Sequence, residues 1–227
     1  MGEAGMKDIE YTADFVVGQR AMFNNVSLLY LFSKRVFDIT ASLTAIIILL
    51  PLFLVVVILI KIDSPGGVFF SQKRNGFRGK YFNMYKFRSM VNDAEDKFKE
   101  LEDKNEVSGN MFKIKNDPRV TRVGKILRKT SIDELPQLFN VIKGDMSIVG
   151  PRPPIDREVQ KYDRWHNLRL SVKPGITGLW QVSGRNDIGF EDMCRLDLKY
   201  IRERGFWYDL KIILKTIPVI FGDSRAF

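Results

Sequence analysis

From Ile39 to Ile60 the chain runs for 22 residues without a charge, ITASLTAIIILLPLFLVVVILI, and no other feature limits its fold as much. Roughly 20 apolar helical residues cross a hydrocarbon core of about 30 Å, so the run is long enough for a membrane helix. Ile46–Ile60 contains only apolar residues, which leaves no polar face for a soluble protein to turn to water. The run starts too far from the amino terminus and is too long for a secretory signal, and no cleavage motif follows it. Pro51 lies near its middle. A proline inside a helix removes a hydrogen bond and clashes with the preceding turn, at roughly 3 kcal/mol. Each half is then about 12 residues, or roughly 18 Å, too short to cross alone. Lys34 and Arg35 precede the run, and Lys61, Lys73, Arg74, Arg78 and Lys80 follow it, whereas a single span has one distinctly positive flank. Two readings remain, a kinked span and a re-entrant hairpin broken at Pro51, and the flanking charge favours the hairpin.

The remainder must work without the usual catalytic side chains. Cys194 is the only cysteine and His166 the only histidine among the 227 residues. That excludes an intrachain disulfide and a Cys-rich metal site, and leaves too few ligands for an ordinary zinc centre. Any chemistry runs on carboxylates, Arg and Lys. Lysine and arginine total 36 against 27 acidic residues, a net charge of +9, which points to an anionic partner: nucleic acid, anionic lipid or a phosphorylated small molecule.

Local signals divide the chain into an amino-terminal linker or remnant (residues 1–32), the membrane helix (33–62) and a catalytic domain (63–227). DSPGG, at Asp63–Gly67, is a turn. VFFSQ and KYFNMYKFRSM read as strands joined through an Asn75-Gly76 turn. Asn92–Lys104 and Val123–Lys129 read as charged and basic helices. A helix follows Asp133 with Leu135, Leu138, Phe139 and Ile142 as its apolar stripe and Gly144 as its stop. MSIVGPRPP (Met146–Pro154) is extended, Asp156–Arg169 helical, and Leu179–Val182 a short strand in a Gly-punctuated loop. Phe190–Arg204 and Tyr208–Phe221 close the chain as helices. The expected class is α/β, helix-rich, with small β-hairpin or sheet elements behind the membrane hairpin.

The stretch SIDELPQL holds the adjacent carboxylates Asp133 and Glu134. Ser131 and Glu134 fit a capping box. Pro136 would then be the fifth helical residue and break a ladder bond, so the spacing moves the helix start to Asp133. A helix amino terminus favours an ionised carboxylate and attracts phosphate. Arg119, Arg122, Lys125, Arg128 and Lys129 crowd the preceding stretch. An ionised Asp beside cations fits phosphoryl transfer, where positioning and charge neutralisation do most of the catalysis. Carboxylates with substrate phosphates are also what Mg²⁺ prefers.

KFRSM (Lys86–Met90), TSIDELPQLFNVIKGDMSIVGPRP (Thr130–Pro153) and KPGITGLWQVSGRN (Lys173–Asn186) resemble the signature blocks of the bacterial sugar transferase family, the monotopic polyprenyl-phosphate phosphoglycosyl transferases. The resemblance runs from about Ser33 to Phe227. It implies transfer of hexose-1-phosphate from a UDP-sugar, galactose or glucose first, to undecaprenyl phosphate with release of UMP. That step initiates O-antigen, capsule or exopolysaccharide synthesis. It further implies Asp133 as the nucleophile that forms a phosphosugar–aspartyl intermediate, Glu134 as its helper, and Mg²⁺ at the Asp133–Glu134 pair. The membrane segment becomes a re-entrant helix broken at Pro51, preceded here by Leu50 where many members carry Ser. The chain is expected on the cytoplasmic face of the bacterial inner membrane, as a short form or as the catalytic portion of a larger member.

With that resemblance, Arg152 in the Pro-rich turn and Arg185 in SGRN are candidate phosphate or nucleotide ligands. Lys86, Arg88 and Arg128 join them, with a solvated face as the plain alternative for the first two. His166 reads as a solvated helix residue, and Cys194 and Trp180 as packing. Expected partners are the UDP-sugar, undecaprenyl phosphate, membrane lipids and, in a homodimer, a second copy, with no nucleic acid. The competing class is a membrane-anchored nucleic-acid or anion binder using KRNGFRGKYFNMYKFR; the adjacent Asp and Glu in the longest block argue against it.

Overall fold

A computed structural model describes residues 26–94, 96, 117–184 and 188–222. Most of the amino-terminal segment, most of the expected Asn92–Lys104 helix, and Arg185 lie outside them.

The apolar run forms the greater part of α1, Leu28–Asp63, a helix of 36 residues opened by Ser27, whose hydroxyl accepts the Leu29 N–H at 3.2 Å. Helical hydrogen bonding continues past Pro51. The structure therefore holds one helix containing the proline rather than two helices with a gap between them. Asp38, Ser42, Phe53, Val56 and Ile60 are buried, spaced at helical intervals so that one stripe faces the rest of the protein. Leu43, Ile47, Ile48, Leu50, Leu54, Val55, Ile58 and Leu59 stay exposed, a large apolar surface of the kind that marks contact with a membrane or a partner.

Both ends of α1 are fastened to the same globular body. Near its start, the Arg35 guanidinium donates to the Val141 and Ile142 carbonyls at 2.7 and 2.8 Å, Lys34 lies 2.8 Å from Asp209, and Asp38 accepts the Ile148 N–H at 3.0 Å. At its finish, Asp63 accepts the Val123 N–H at 3.0 Å and Lys61 donates to the Gly66 carbonyl at 3.0 Å.

Strands β1 (Phe69–Asn75) and β2 (Tyr81–Phe87) pair antiparallel, Phe69 opposite Phe87 and Asn75 opposite Tyr81. The chain reverses at Phe77–Gly79, where Arg78 and Gly79 take φ of 58° and 70°, two residues beyond the expected Asn75-Gly76 turn. Helix α2, Arg122–Lys129, starts at Thr121, whose hydroxyl accepts the Gly124 N–H at 3.0 Å. Gly124 lets α2 lie on the chain leaving β2: a Cβ there would sit 2.0 Å from the Ser89 carbonyl oxygen.

Helix α3 spans Gln137–Lys143 and ends at Gly144 with φ 93°. Its buried face is Gln137, Leu138, Asn140 and Val141. The expected stripe is corrected here, since Phe139 is exposed and Ile142 half-buried. The cause is Asn140, which is fully buried: its amide accepts the Tyr85 N–H at 3.0 Å and donates to the Asn83 carbonyl at 2.7 Å. An asparagine that completes the β2 edge turns α3 by one residue.

Strand β3 (Ser147–Val149) pairs in parallel with β4 (Gly175–Thr177). The expected strand at Leu179–Val182 is instead a series of turns. Asp156–Arg169 is not one helix: α4 (Asp156–Val159) and α5 (Arg164–Asn167) are separated, and a tighter turn follows at Leu168–Ser171. A new helix starts at Asp163, whose backbone N–H donates to His166 Nδ1 at 3.0 Å. Helices α6 (Phe190–Glu203) and α7 (Phe206–Gly222) complete a helix-rich α/β fold, with two two-stranded sheets among the described residues.

Candidate active site

The Asp133–Glu134 pair is built on the long apolar helix α1. Phe53, Val56 and Ile60 of α1 form a core with Phe87 of β2 and Leu127 of α2, and Ile132 and Leu135 pack against it. Burying side chains of this size contributes roughly 1.5–3 kcal/mol each. The two apolar residues that bracket the carboxylates are thus held in place by α1.

Backbone geometry exposes one carboxylate and buries the other. Ser131 takes φ 55°, reversing the chain after α2, and Ile132–Glu134 form a single tight turn. Asp133 is 7% exposed while Glu134 is half-buried. Neither expected cap forms. The Ser131 side chain makes no capping bond, and α3 begins only at Gln137, with Pro136 at the cap position. There the missing proline N–H costs no helical bond. Burial, not a helix end, dominates the titration of Asp133 and pushes its pKa up to about 6; Glu134 adds to the rise, while Lys86 and Arg128 oppose it. The expectation of a carboxylate held in its ionised form by a helix amino terminus is corrected accordingly.

Lys86 stands on β2 and donates to Glu134 Oε1 at 2.7 Å. Arg128, in the last turn of α2, donates through Nε to Ser89 Oγ at 3.0 Å, and its charge acts on Asp133. These two cations and the two carboxylates form one cluster. Arg119, also buried, is engaged by Asp117 at 2.6 Å. Arg122, Lys125 and Lys129 point outward from α2 and are exposed.

Arg88 is not in the cluster. Its guanidinium donates to Pro65 O, Ser64 O, Ser64 Oγ and Asn92 Oδ1 at 2.6 to 3.0 Å. Gly66, with φ 119°, makes room for it, because a Cβ there would lie 2.2 Å from Arg88 Nη1. Arg88, which follows the last β2 residue Phe87, here joins that strand to the exit of α1.

Arg152 donates to both oxygens of Glu158, at 3.2 and 3.0 Å, and Glu158 also accepts the Ile155 N–H at 3.1 Å. The Pro-rich turn is thereby closed around a buried carboxylate. Arg152 keeps a quarter of its side chain exposed, at 26%. Sequence reasoning missed Arg74, counting it only as a flanking charge of the membrane run. It is buried, donates to Pro153 O at 3.0 Å and Gln72 Oε1 at 2.6 Å, and leaves Nε without a partner. Burial and the nearby Arg152 guanidinium lower its pKa, while Glu158 and Glu134 raise it. Glu134 therefore pairs with Lys86 and also acts on Arg74. The signal in the sequence was slight, because Arg74 falls in RNGFRGK, read as the connection between the strands, whereas it lies within β1.

Among the described residues, no group of three or more His, Cys, Asp or Glu could hold a metal. Two adjacent carboxylates suit Mg²⁺ that takes its other ligands from water and substrate phosphate. His166 is not solvated: it is buried 4.0 Å from the Trp165 ring centroid, and its Nε2 lies 3.3 Å from Glu191. Cys194 is buried, and Trp180 packs against the cluster of Phe190, Met193 and Cys194.

Residues 29–223 match the family described as bacterial sugar transferase. The chain is 50% identical over 201 residues to galactosyl transferase CpsE of Streptococcus agalactiae, covering 87% of this chain and 44% of that protein. It is 44% identical over 201 residues to the undecaprenyl-phosphate galactose phosphotransferase of Salmonella typhimurium, covering 86% and 42%. It is 41% identical over 200 residues to the UDP-galactose-lipid carrier transferase of Erwinia amylovora, again covering 86% and 42%. The chain thus spans less than half the length of each of these three relatives.

Proposed function

The chain belongs to the bacterial sugar transferase family, and from that premise we propose that it transfers hexose-1-phosphate from a UDP-sugar to undecaprenyl phosphate, releasing UMP. The observation that carries the proposal is the mounting of Asp133: a buried carboxylate, bracketed by Ile132 and Leu135 on the apolar helix and facing Lys86 and Arg128. That arrangement suits a nucleophile working beside a bilayer on a phosphate ester.

In the first step an Asp133 oxygen attacks the β-phosphorus of the UDP-sugar. The bond from that phosphorus to the bridging oxygen breaks, UMP leaves with the electron pair, and a phosphosugar–aspartyl anhydride remains. In the second, a phosphate oxygen of undecaprenyl phosphate attacks the same phosphorus. The acyl-phosphate bond breaks, the Asp133 carboxylate is restored, and the diphosphate-linked sugar leaves on the lipid. A carboxyl pKa near 6 makes Asp133 a better nucleophile than an ordinary aspartate while leaving it mostly ionised at neutral pH. Arg128 and Lys86 supply fixed positive charge where the transferred phosphoryl group is negative. Arg152 and Arg185 remain candidates for the nucleotide phosphates. Mg²⁺ held at Asp133 and Glu134 would supply further charge neutralisation on the diphosphate.

The re-entrant topology belongs to this reading. It is supported by Asp38 and Asp63, which both accept backbone N–H bonds from one globular body, as they would with both ends of α1 on one side of a membrane. Pro51 marks the bend, and the exposed apolar face between those ends is what enters the lipid. That side is the cytoplasmic face of the inner membrane, where UDP-sugars are made. Initiation of capsule, O-antigen or exopolysaccharide assembly is the corresponding role.

The test uses the purified chain in nanodiscs with radiolabelled UDP-galactose or UDP-glucose. Without undecaprenyl phosphate, about one UMP per protein is expected, with label on Asp133. Adding the lipid should discharge the label and start turnover. Lipid-linked product without any label at Asp133 would refute the two-step route.

A further inference from the structure

The basic stretch around the carboxylates divides between two faces of α2, and only one of them serves the site. Gly124 lies against the Ser89 backbone, Leu127 enters the core with Phe53, Val56 and Ile60, and Arg128 reaches Ser89. On the other face, Arg122, Lys125, Ile126 and Lys129 recur at i, i+3, i+4 and i+7, one continuous stripe. All four are exposed, Ile126 at 63%. Among the described residues, none of the three cations forms an ion pair. Three unpaired like charges around an exposed isoleucine destabilise one another, and nothing within the described fold compensates for them.

Position supplies the occupant. Val123 of α2 donates to Asp63, the last residue of α1, at 3.0 Å. Lys61 and Ile62 on that last turn are exposed too, Ile62 at 78%. The cationic stripe thus continues from the point where the apolar helix ends. A short helix with its apolar side chain among lysines and arginines matches an anionic interface, where the hydrocarbon enters and the cations stay among headgroups.

We propose that the outward face of α2, Arg122, Lys125, Ile126 and Lys129 continued by Lys61 and Ile62, docks on anionic phospholipid headgroups of the leaflet that α1 enters. The proposal rests on the membrane placement of α1 given above. Each cation near an anionic surface contributes about fivefold to binding, so Arg122, Lys125 and Lys129 together contribute about a hundredfold. The effect is to set the tilt of the domain on the bilayer. α2 becomes a floor with headgroups under one face and the Asp133 cluster over the other.

The experiment places an environment-sensitive thiol dye on Ile126→Cys; Cys194 is buried and does not compete. The protein is reconstituted into nanodiscs of phosphatidylcholine, or of phosphatidylcholine with phosphatidylglycerol. A blue-shifted emission is expected only with phosphatidylglycerol, and raising salt from 0.1 M to 1 M, which shortens screening from about 10 Å to about 3 Å, should reverse it. The same dye on Lys199→Cys, exposed on α6, should report no difference. Adding Arg122→Gln, Lys125→Gln and Lys129→Gln should abolish the shift, with a melting temperature no lower than that of the parent showing an intact fold. Equal emission in the two disc types overturns the proposal, as does a shift that survives the triple substitution. A shift produced instead by an acidic protein or by soluble glycerol phosphate also overturns it. Failure to co-migrate even with phosphatidylcholine discs would count against the membrane placement of α1 itself, a separate result.

Discussion

At residue scale, the cost and the use of Asp133 have the same origin. Its pKa rises from 3.8 to about 6, chiefly through burial. Below pH 3.8 the carboxyl is protonated in both folded and unfolded chains and its titration contributes nothing. Between the two values the folded chain holds a proton the unfolded chain has released, so stability falls as pH rises; above about 6 the whole penalty is present, at most about 3 kcal/mol. Asp133→Asn should therefore abolish turnover, by about 10⁴-fold or more, while melting no lower than wild type at pH 8. Any gain in melting temperature should disappear at pH 4. A melting temperature well below wild type at pH 8 would contradict the assignment of burial as the main cause. Protonation should also give kcat/KM for the UDP-sugar an acid limb near pH 6. Lys86 is the largest influence holding that value down, so Lys86→Met should move the limb upward, readable in a pH–rate profile.

At element scale, α2 depends on a contact that helix propensity alone misjudges. Gly→Ala inside a helix ordinarily stabilises by about 1 kcal/mol. Gly124→Ala would press a methyl into the Ser89 backbone, so the expected result is a loss of about 1–3 kcal/mol, with a raised KM as Arg128 shifts. A calorimetric comparison decides the sign. The same distinction explains how far the elements could be read in advance. α1, the β1–β2 hairpin, α2, α6 and α7 were legible because periodicity, turn residues and composition are local signals. The turn of α3 was not, because Asn140 is buried for two bonds to β2, and a polar residue on a core face contradicts the pattern that reveals a helix. Within the site, the adjacent Asp and Glu and the cations Lys86 and Arg128 were visible as motif residues. Arg74 and the diversion of Arg88 were not, since each depends on carbonyl groups distant in sequence, Pro153 and Pro65.

At the scale of the whole molecule, the attachment of both ends of α1 makes a prediction about sidedness. Single cysteines at Leu28 and Ile62, 82% and 78% exposed, should react with an impermeant thiol reagent from the same side of sealed vesicles, the side bearing the catalytic domain. Reaction from opposite sides would establish a crossing helix. The partnership of Phe53, Val56 and Ile60 with the residues beside Asp133 also bears on how the protein can be handled. A version trimmed of its greasy segment to gain solubility in plain buffer would lose one wall of the packing around Asp133. Detergent or lipid should therefore be regarded as an ingredient of the folded protein rather than a convenience of its purification.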